Sequence, residues 1–86
     1  MHVISNHQIS HLENFHAGVQ SARANLPDGL TVHHTIVSKD GDCAICLIEA
    51  ETVQHVVDFV DEFVGQHSTS TYFEVHNETS LGLPGA

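Results

Sequence analysis

Hydrophobic patterning along the 86-residue chain predicts an α+β fold in which strands and helices follow the order β-α-β-β-α-β. Two segments repeat apolar residues every three or four positions, as amphipathic helices do. Short runs rich in β-branched residues precede, separate and follow these helices, as expected of strands. This order is that of the split β-α-β plan, the ferredoxin-like fold, whose four strands form an antiparallel sheet.

The first strand and the first helix are predicted near the amino terminus. Residues 2–5 include the adjacent apolar residues Val3 and Ile4, which favour a short strand. Ser10 and Glu13 have the spacing of a capping box for the helix that follows. The apolar face of this helix consists of Ile9, Leu12, Phe15, His16, Val19, Ala22 and Leu26. A Pro-Asp-Gly turn then ends the helix.

The second half of the chain predicts a hairpin, a helix and a last strand. Residues 30–37 and 42–50 are strand-like and are separated by a turn sequence. Thr52 is the expected N-cap of the second helix, and Gly65 is expected to end that helix with a positive φ angle. The last strand is predicted over residues 69–75.

The predicted sheet has one face without a covering layer, because both helices of this plan lie on the other face. The third strand is nevertheless apolar at alternate positions on both sides, as when both faces are buried. We therefore expect a homodimer that packs sheet against sheet and forms a dimeric α+β barrel. Residues 1–76 would form the domain and residues 77–86 a carboxyl-terminal tail.

Charge excludes several kinds of partner. Two basic residues against eleven acidic ones give a net charge of −9 with neutral histidines. Nucleic acids and anionic membranes are bound through clustered Lys and Arg, so neither is an expected partner. No apolar run reaches the roughly 20 residues that span a bilayer. A cytoplasmic location is the resulting expectation, and two cysteines are too few for a disulfide framework.

Nine histidines are the unusual feature of the composition. Imidazoles are common ligands of zinc and nickel, and histidine spacing therefore bears on metal binding. His7 and His11 are four residues apart, which places two imidazoles on one helical face, unless Ser10 caps the helix after His7. The other reading is of surface histidines. His2, His55 and His76 carry no signal beyond composition.

A second candidate cation site lies at the end of the second helix. Asp61 and Glu62 occupy its last turn, where negative charge opposes the helix dipole, and His67 follows. A cation bound between these groups would relieve the unfavourable arrangement. The alternative is a solvated acidic face.

The two cysteines spell a Cys-x-x-Cys motif on a strand. Residues three apart on a strand point to opposite faces, so Cys43 and Cys46 are unsuited to chelating one ion. A redox pair would instead lie at a helix amino terminus. Buried structural cysteines are the simpler reading. Cys46 with His34 could form a nucleophile pair across the hairpin, although no third member is recognisable. A buried, hydrogen-bonded His34 is the alternative.

The residues 44–50 (AICLIEA), the helix that ends at Gly65 and the strand that ends with Glu74 and Val75 resemble a known family. This is the small bacterial family catalogued as domain-of-unknown-function 4242, of the dimeric α+β-barrel group, with members described as nickel-binding. The resemblance implies that His7 and His16 match two histidines of the family. Ser5 stands where members often carry an acid, and Asp61 where they often carry a histidine.

Three functions follow as hypotheses. The first is binding of a divalent metal ion, nickel or zinc, by His7, His16, Asp61 and His67. The second is a small cavity enzyme, similar to a monooxygenase, in which a ligand contacts His34, Cys46 and Glu49. The third is a plain dimerisation module. The sequence leaves open whether the protein is an enzyme.

Overall fold

A computed structural model describes residues 1–84 of the protein. The chain forms four strands and two helices in the predicted order, and the ferredoxin-like α+β fold is confirmed. The elements are β1 (His2–Ile9), α1 (Leu12–Ala24), β2 (Thr31–Val37), β3 (Cys43–Glu49), α2 (Val53–Val64) and β4 (Ser68–Glu74).

The four strands form one antiparallel sheet in the order β2-β3-β1-β4. The two central strands, β1 and β3, pair over the whole of β3, from His2 opposite Glu49 to Gln8 opposite Cys43. The pairing of β2 with β3 is irregular between Val32 and His34. The first residues of β1 therefore lie beside the last residues of β3.

The hydrophobic core lies between the helices and one face of the sheet. Alternate residues of β1 and β3 point into it, as the strand pleat requires. Burying a large apolar side chain contributes about 1.5–3 kcal/mol, so a few such residues dominate the stability. The largest fully buried apolar side chains are Phe15, Ile48, Val3 and Val56.

The two helices approach each other closely at Gly18. A Cβ atom at this position would lie 2.4 Å from the carbonyl oxygen of Phe63 and 2.9 Å from Val64 Cγ1. Any larger residue would therefore push α1 away from α2. Glycine is needed here for close packing, since its φ angle is not positive.

The opposite face of the sheet carries apolar side chains that the helices do not cover. Ile4 pairs with Phe73, and Ile36 pairs with Ile45, so all four strands contribute to this face. Ile36 and Phe73 are 57% and 56% exposed. We call Ile4, Ile36, Ile45 and Phe73 the open-face patch.

The first strand is four residues longer than predicted, and the predicted capping box is wrong. β1 continues to Ile9 because it pairs with β3 on one side and β4 on the other. His11, not Ser10, is the N-cap of α1, and its Nδ1 accepts a hydrogen bond from the amide of Asn14 at 3.3 Å. Strand pairing thus overrides the local capping signal.

The second helix begins as predicted and ends differently. The hydroxyl of Thr52 accepts a hydrogen bond from the amide of His55 at 3.1 Å, which confirms the N-cap. Gly65 has a φ angle of −60°, so the predicted positive φ is wrong. A Cβ there would lie 2.6 Å from the carbonyl oxygen of Asp61. Glycine is therefore needed because the Asp61 backbone lies so close, not because of its φ angle.

The segment after β4 makes turns rather than regular structure. His76 Nδ1 lies 2.9 Å from Thr79 Oγ1 within one of these turns. Residues 85 and 86 of the predicted tail lie outside the described residues. Neither helix within residues 1–84 has the length and apolar character needed to cross a membrane.

Candidate metal site

His7, the first residue predicted to bind metal, lies in the core. It is 1% exposed and points from β1 towards the helices, with its ring 5.4 Å from that of Phe15. Its Nε2 lies 2.9 Å from Ser5 Oγ, and its Nδ1 lies 2.8 Å from Ser70 Oγ. Burial lowers the pKa of His7, so the neutral ring is favoured. Both ring nitrogens already have partners.

The other residues predicted to bind metal lie on the helical side of the molecule. His16 is exposed on α1, and Asp61 is exposed in the last turn of α2. His67 follows α2, and its backbone carbonyl accepts a hydrogen bond from the amide of Ser10 at 2.9 Å. The structure does not gather these side chains into a cluster with potential metal ligands within 4.8 Å of one another.

The residues predicted to contact an organic ligand are divided between the two faces of the sheet. Cys46 points into the core, where its Sγ lies 3.5 Å from Thr35 Oγ1. Burial raises the pKa of the Cys46 thiol, and a hydrogen bond from Thr35 opposes that effect more weakly. His34 and Glu49 belong to the opposite face, in register with Leu47 and His2. The three side chains therefore share no cavity.

A different set of side chains converges at one end of the sheet. His2, His33 and Glu49 each offer one ligand atom, and these atoms all lie within 4.8 Å of one another. Glu49 Oε1 lies 2.9 Å from His33 Nε2 and 3.5 Å from His2 Nε2. The two imidazole ring centres are 5.7 Å apart. Within residues 1–84, this is the one such group of three His, Cys, Asp or Glu side chains.

Three strands position this cluster. His2 begins β1 directly opposite Glu49, which ends β3. On the other side of β3, Thr31 pairs with Glu49, and the register then shifts between Val32 and His34. His33 lies at this irregularity, where side chains leave the strict alternation of a strand. Its imidazole therefore reaches the same carboxylate as His2.

The cluster contains a buried nitrogen without a hydrogen-bond partner. Among the described residues, His2 Nε2 forms no hydrogen bond and is inaccessible to solvent. Its other nitrogen, Nδ1, lies 3.2 Å from Asn77 Oδ1. In the neutral ring, that contact suits a proton on Nδ1, which leaves the Nε2 lone pair directed at the cluster. An unpaired buried acceptor is unfavourable, and a bound cation would satisfy it.

Glu49 supplies the negative charge of the cluster. Its carboxylate is half-exposed, and its pKa is lowered chiefly by the hydrogen bond with His33. Partial desolvation opposes this effect, and the charges of protonated His2 and His33 and of the amino terminus lower the pKa further. The amino-terminal ammonium itself donates a hydrogen bond to the carbonyl of Ala50 at 2.8 Å. This backbone contact anchors the beginning of β1 beside Glu49.

The arrangement fits a transition metal ion. Bonds of 2.0–2.2 Å to nitrogen and oxygen place neighbouring ligands of a tetrahedral ion about 3.3 Å apart. The two nitrogen-to-oxygen distances at Glu49, 2.9 and 3.5 Å, lie on either side of that value. Two imidazoles and one carboxylate also leave a coordination position for water or another ligand.

Composition alone did not identify His2 as a ligand. The predicted topology could have identified it, because the split plan pairs the first strand with the third in antiparallel orientation. A histidine at the beginning of β1 is then adjacent to an acid at the end of β3. The direction of the His33 side chain depends on the irregularity in β2, and no sequence pattern indicates that irregularity.

Comparison of the chain with protein-family models, curated proteins and solved structures gave no match. The resemblance to the domain-of-unknown-function 4242 family therefore stays a prediction.

Proposed function

We propose that the protein binds a divalent transition metal ion, nickel or zinc, through His2, His33 and Glu49. The observation that carries this proposal is the convergence of three ligand atoms from three strands, one of them a buried nitrogen without a hydrogen-bond partner. The proposed metal is of the class expected from the sequence. The proposed site lies at the end of the sheet and not among the residues that the sequence analysis selected.

Each residue has a distinct role in the proposed site. The two imidazoles bind through Nε2, and Glu49 binds through Oε1 and offsets one positive charge of the ion. Asn77 holds the His2 ring by its Nδ1, as outer carboxylates, amides and carbonyls commonly do at metal sites. His7 has no such role, since Ser5 and Ser70 occupy both of its ring nitrogens.

We also propose that two copies of the chain associate through the open-face patch. Each strand contributes one apolar side chain to this surface, and stacking two sheets about 10 Å apart would remove these side chains from water. His2 and Glu49 are on the same face as the patch, at one end of β1 and β3. A partner subunit would therefore lie close to the open coordination position.

Native mass spectrometry of metal-free protein, offered nickel or zinc, tests the metal site. The wild-type chain should retain one ion per subunit, and His33→Ala and Glu49→Gln should each weaken binding by at least about tenfold, since they remove a direct ligand. His55→Ala, which removes an exposed histidine of α2, is the matched control. Unchanged affinity in both site variants would refute the proposal.

Sedimentation of the metal-free protein tests the interface separately. Phe73→Glu places a charge in the open-face patch and should give a monomer. Leu81→Glu is the control, because Leu81 is 97% exposed and lies outside the sheet. A wild-type monomer at high micromolar concentration would refute the interface and leave the metal site untouched.

A further inference from the structure

A groove of about 460 Å³ runs between α1 and the outer edge of β2. Its polar lining is mostly basic or potentially basic, in contrast to the acidic molecule as a whole. Arg23 and His16 line it from α1, and His33 and His34 line it along the outer edge of β2. The uncharged residues Gln20 and Thr35 complete the polar lining.

The charge of this groove is unusual for the chain. Arg23 is one of only two Lys or Arg residues, against eleven acids. Among the residues that the structure describes, no Asp or Glu lines the groove, and Arg23 has no acidic partner within 4.0 Å. Glu49 is close to the groove only through its hydrogen bond with His33. An unpaired guanidinium flanked by imidazoles favours an anionic ligand.

The groove adjoins an apolar cavity between the helices and the sheet. Val19, Arg23 and Thr35 line both spaces. The cavity measures about 30 Å³. Its remaining walls are mostly apolar, and they include Phe15, Ile48, Phe59, Val60 and Phe63. Such a volume has room for about two water-sized groups, and apolar walls favour carbon over water.

Apart from Arg23, the polar groups on the cavity wall already have partners within the protein. His7 is held by Ser5 and Ser70, and Cys46 contacts Thr35. A ligand that enters the cavity therefore has little to gain from polar atoms there. The positive charge at the groove suits an anionic group, and the apolar surface of the cavity suits a hydrocarbon chain. A ligand that carries both would match the two spaces.

From these features we infer that the groove binds a small organic carboxylate with a short apolar chain. Arg23 holds the carboxylate in a fork of two hydrogen bonds, with His16 of the same helix beside it. The chain of two or three carbons points past Val19 and Thr35 into the cavity. This site is separate from the proposed metal site, although His33 borders both.

A titration of metal-free, ¹⁵N-labelled protein followed by NMR tests the inference. The probes are acetate, butyrate, octanoate, 1-butanol and inorganic phosphate. A ligand of this size is expected to bind with a dissociation constant on the order of millimolar. Butyrate should bind at least about fivefold more tightly than each of the other four probes, since octanoate exceeds the cavity and 1-butanol lacks the charge.

Two charge-matched variants assign the binding to the groove. Arg23→Gln should weaken butyrate binding at least about tenfold, because it removes the cation and keeps a good helix former. Lys39→Gln removes the other strong cation, in the β2–β3 turn, and should leave binding unchanged.

Two outcomes would overturn the inference. Equal weakening by Arg23→Gln and Lys39→Gln would mean that only net charge matters. Acetate or phosphate binding as tightly as butyrate would mean that the cavity takes no part. Both outcomes can be interpreted whether or not the protein binds metal, because the titration contains no metal ion.

Discussion

His7 Nδ1 lies 2.8 Å from Ser70 Oγ, and this contact links the first and last strands of the sheet inside the core. The opposite nitrogen of the ring contacts Ser5 Oγ at 2.9 Å. A neutral imidazole satisfies both hydroxyls, since one nitrogen donates and the other accepts. The ring is therefore a structural part of the fold, and its protonation should affect stability.

The stability of the protein should fall as the pH drops from 7 to 5. Burial lowers the pKa of His7 below the ordinary value of 6.5, so the unfolded chain takes up the proton first. The neutral ring stabilises the fold above that value, and the benefit is lost as the pH falls through 6.5 towards the lowered pKa. The slope from one such group approaches at most about 1.4 kcal/mol per pH unit.

Urea unfolding at pH 7 and pH 5 measures this effect. His7→Gln should reduce the pH dependence of the free energy of unfolding, while His55→Gln, at an exposed position, should retain it. At pH 7, His7→Gln should itself cost about 1–3 kcal/mol, because Ser5 and Ser70 lose well-placed partners. An identical pH slope in His7→Gln and wild type would contradict the prediction.

The two thiols should react at very different rates. Cys43 is exposed, whereas Cys46 is buried and its pKa is raised by burial. Reaction with Ellman's reagent at pH 8 should modify one thiol per chain quickly and the second only on unfolding. Cys43→Ser should abolish the fast phase. A fast phase that survives this substitution would show that Cys46 is accessible.

Gly18→Ala should destabilise the protein although alanine is the better helix former. The added methyl group would meet the Phe63 carbonyl at 2.4 Å, and such overpacking costs about 1–3 kcal/mol. Ala17→Gly, at the neighbouring exposed position, measures the intrinsic helix effect alone, about 1 kcal/mol. Thermal unfolding of both variants checks the prediction, and a stabilised Gly18→Ala protein would refute it.

Asn77→Ala should weaken metal binding without removing a ligand. Its Oδ1 holds the His2 ring at Nδ1, and loss of such an outer contact costs about 10- to 100-fold in affinity. Isothermal titration with zinc measures the change. Glu78→Gln is the control, because it alters the adjacent exposed residue and lowers negative charge. An equal loss in both variants would point to general electrostatics.

Much of the fold follows from local sequence patterns. The hairpin of β2 and β3 and the Thr52 cap of α2 depend on neighbouring residues, and both were predicted. The end of β1 was not, because residues 6–9 owe their extended backbone to pairing with β3 and β4. Polar Ser5 and His7 point inwards there, which hides the usual alternation of apolar residues.

The candidate site was harder to predict from the sequence, because it too depends on how the strands pair. Uniform alternation along β2 would place Val32 and Ile36 on one face, together with His34. The register shift instead puts Val32 opposite Ile48 on the core face and His34 opposite Leu47 on the other. A single irregular residue thus decides which histidine reaches Glu49, and local residue preferences do not encode it.

The irregularity in β2 also bears on how the molecule avoids aggregation. β2 is an outer strand of the sheet, and such strands expose backbone groups that recruit strands from other molecules. A bulge twists the strand and interrupts the regular row of donors and acceptors. The feature that brings His33 to Glu49 therefore also makes this edge a poor template for fibril-like growth.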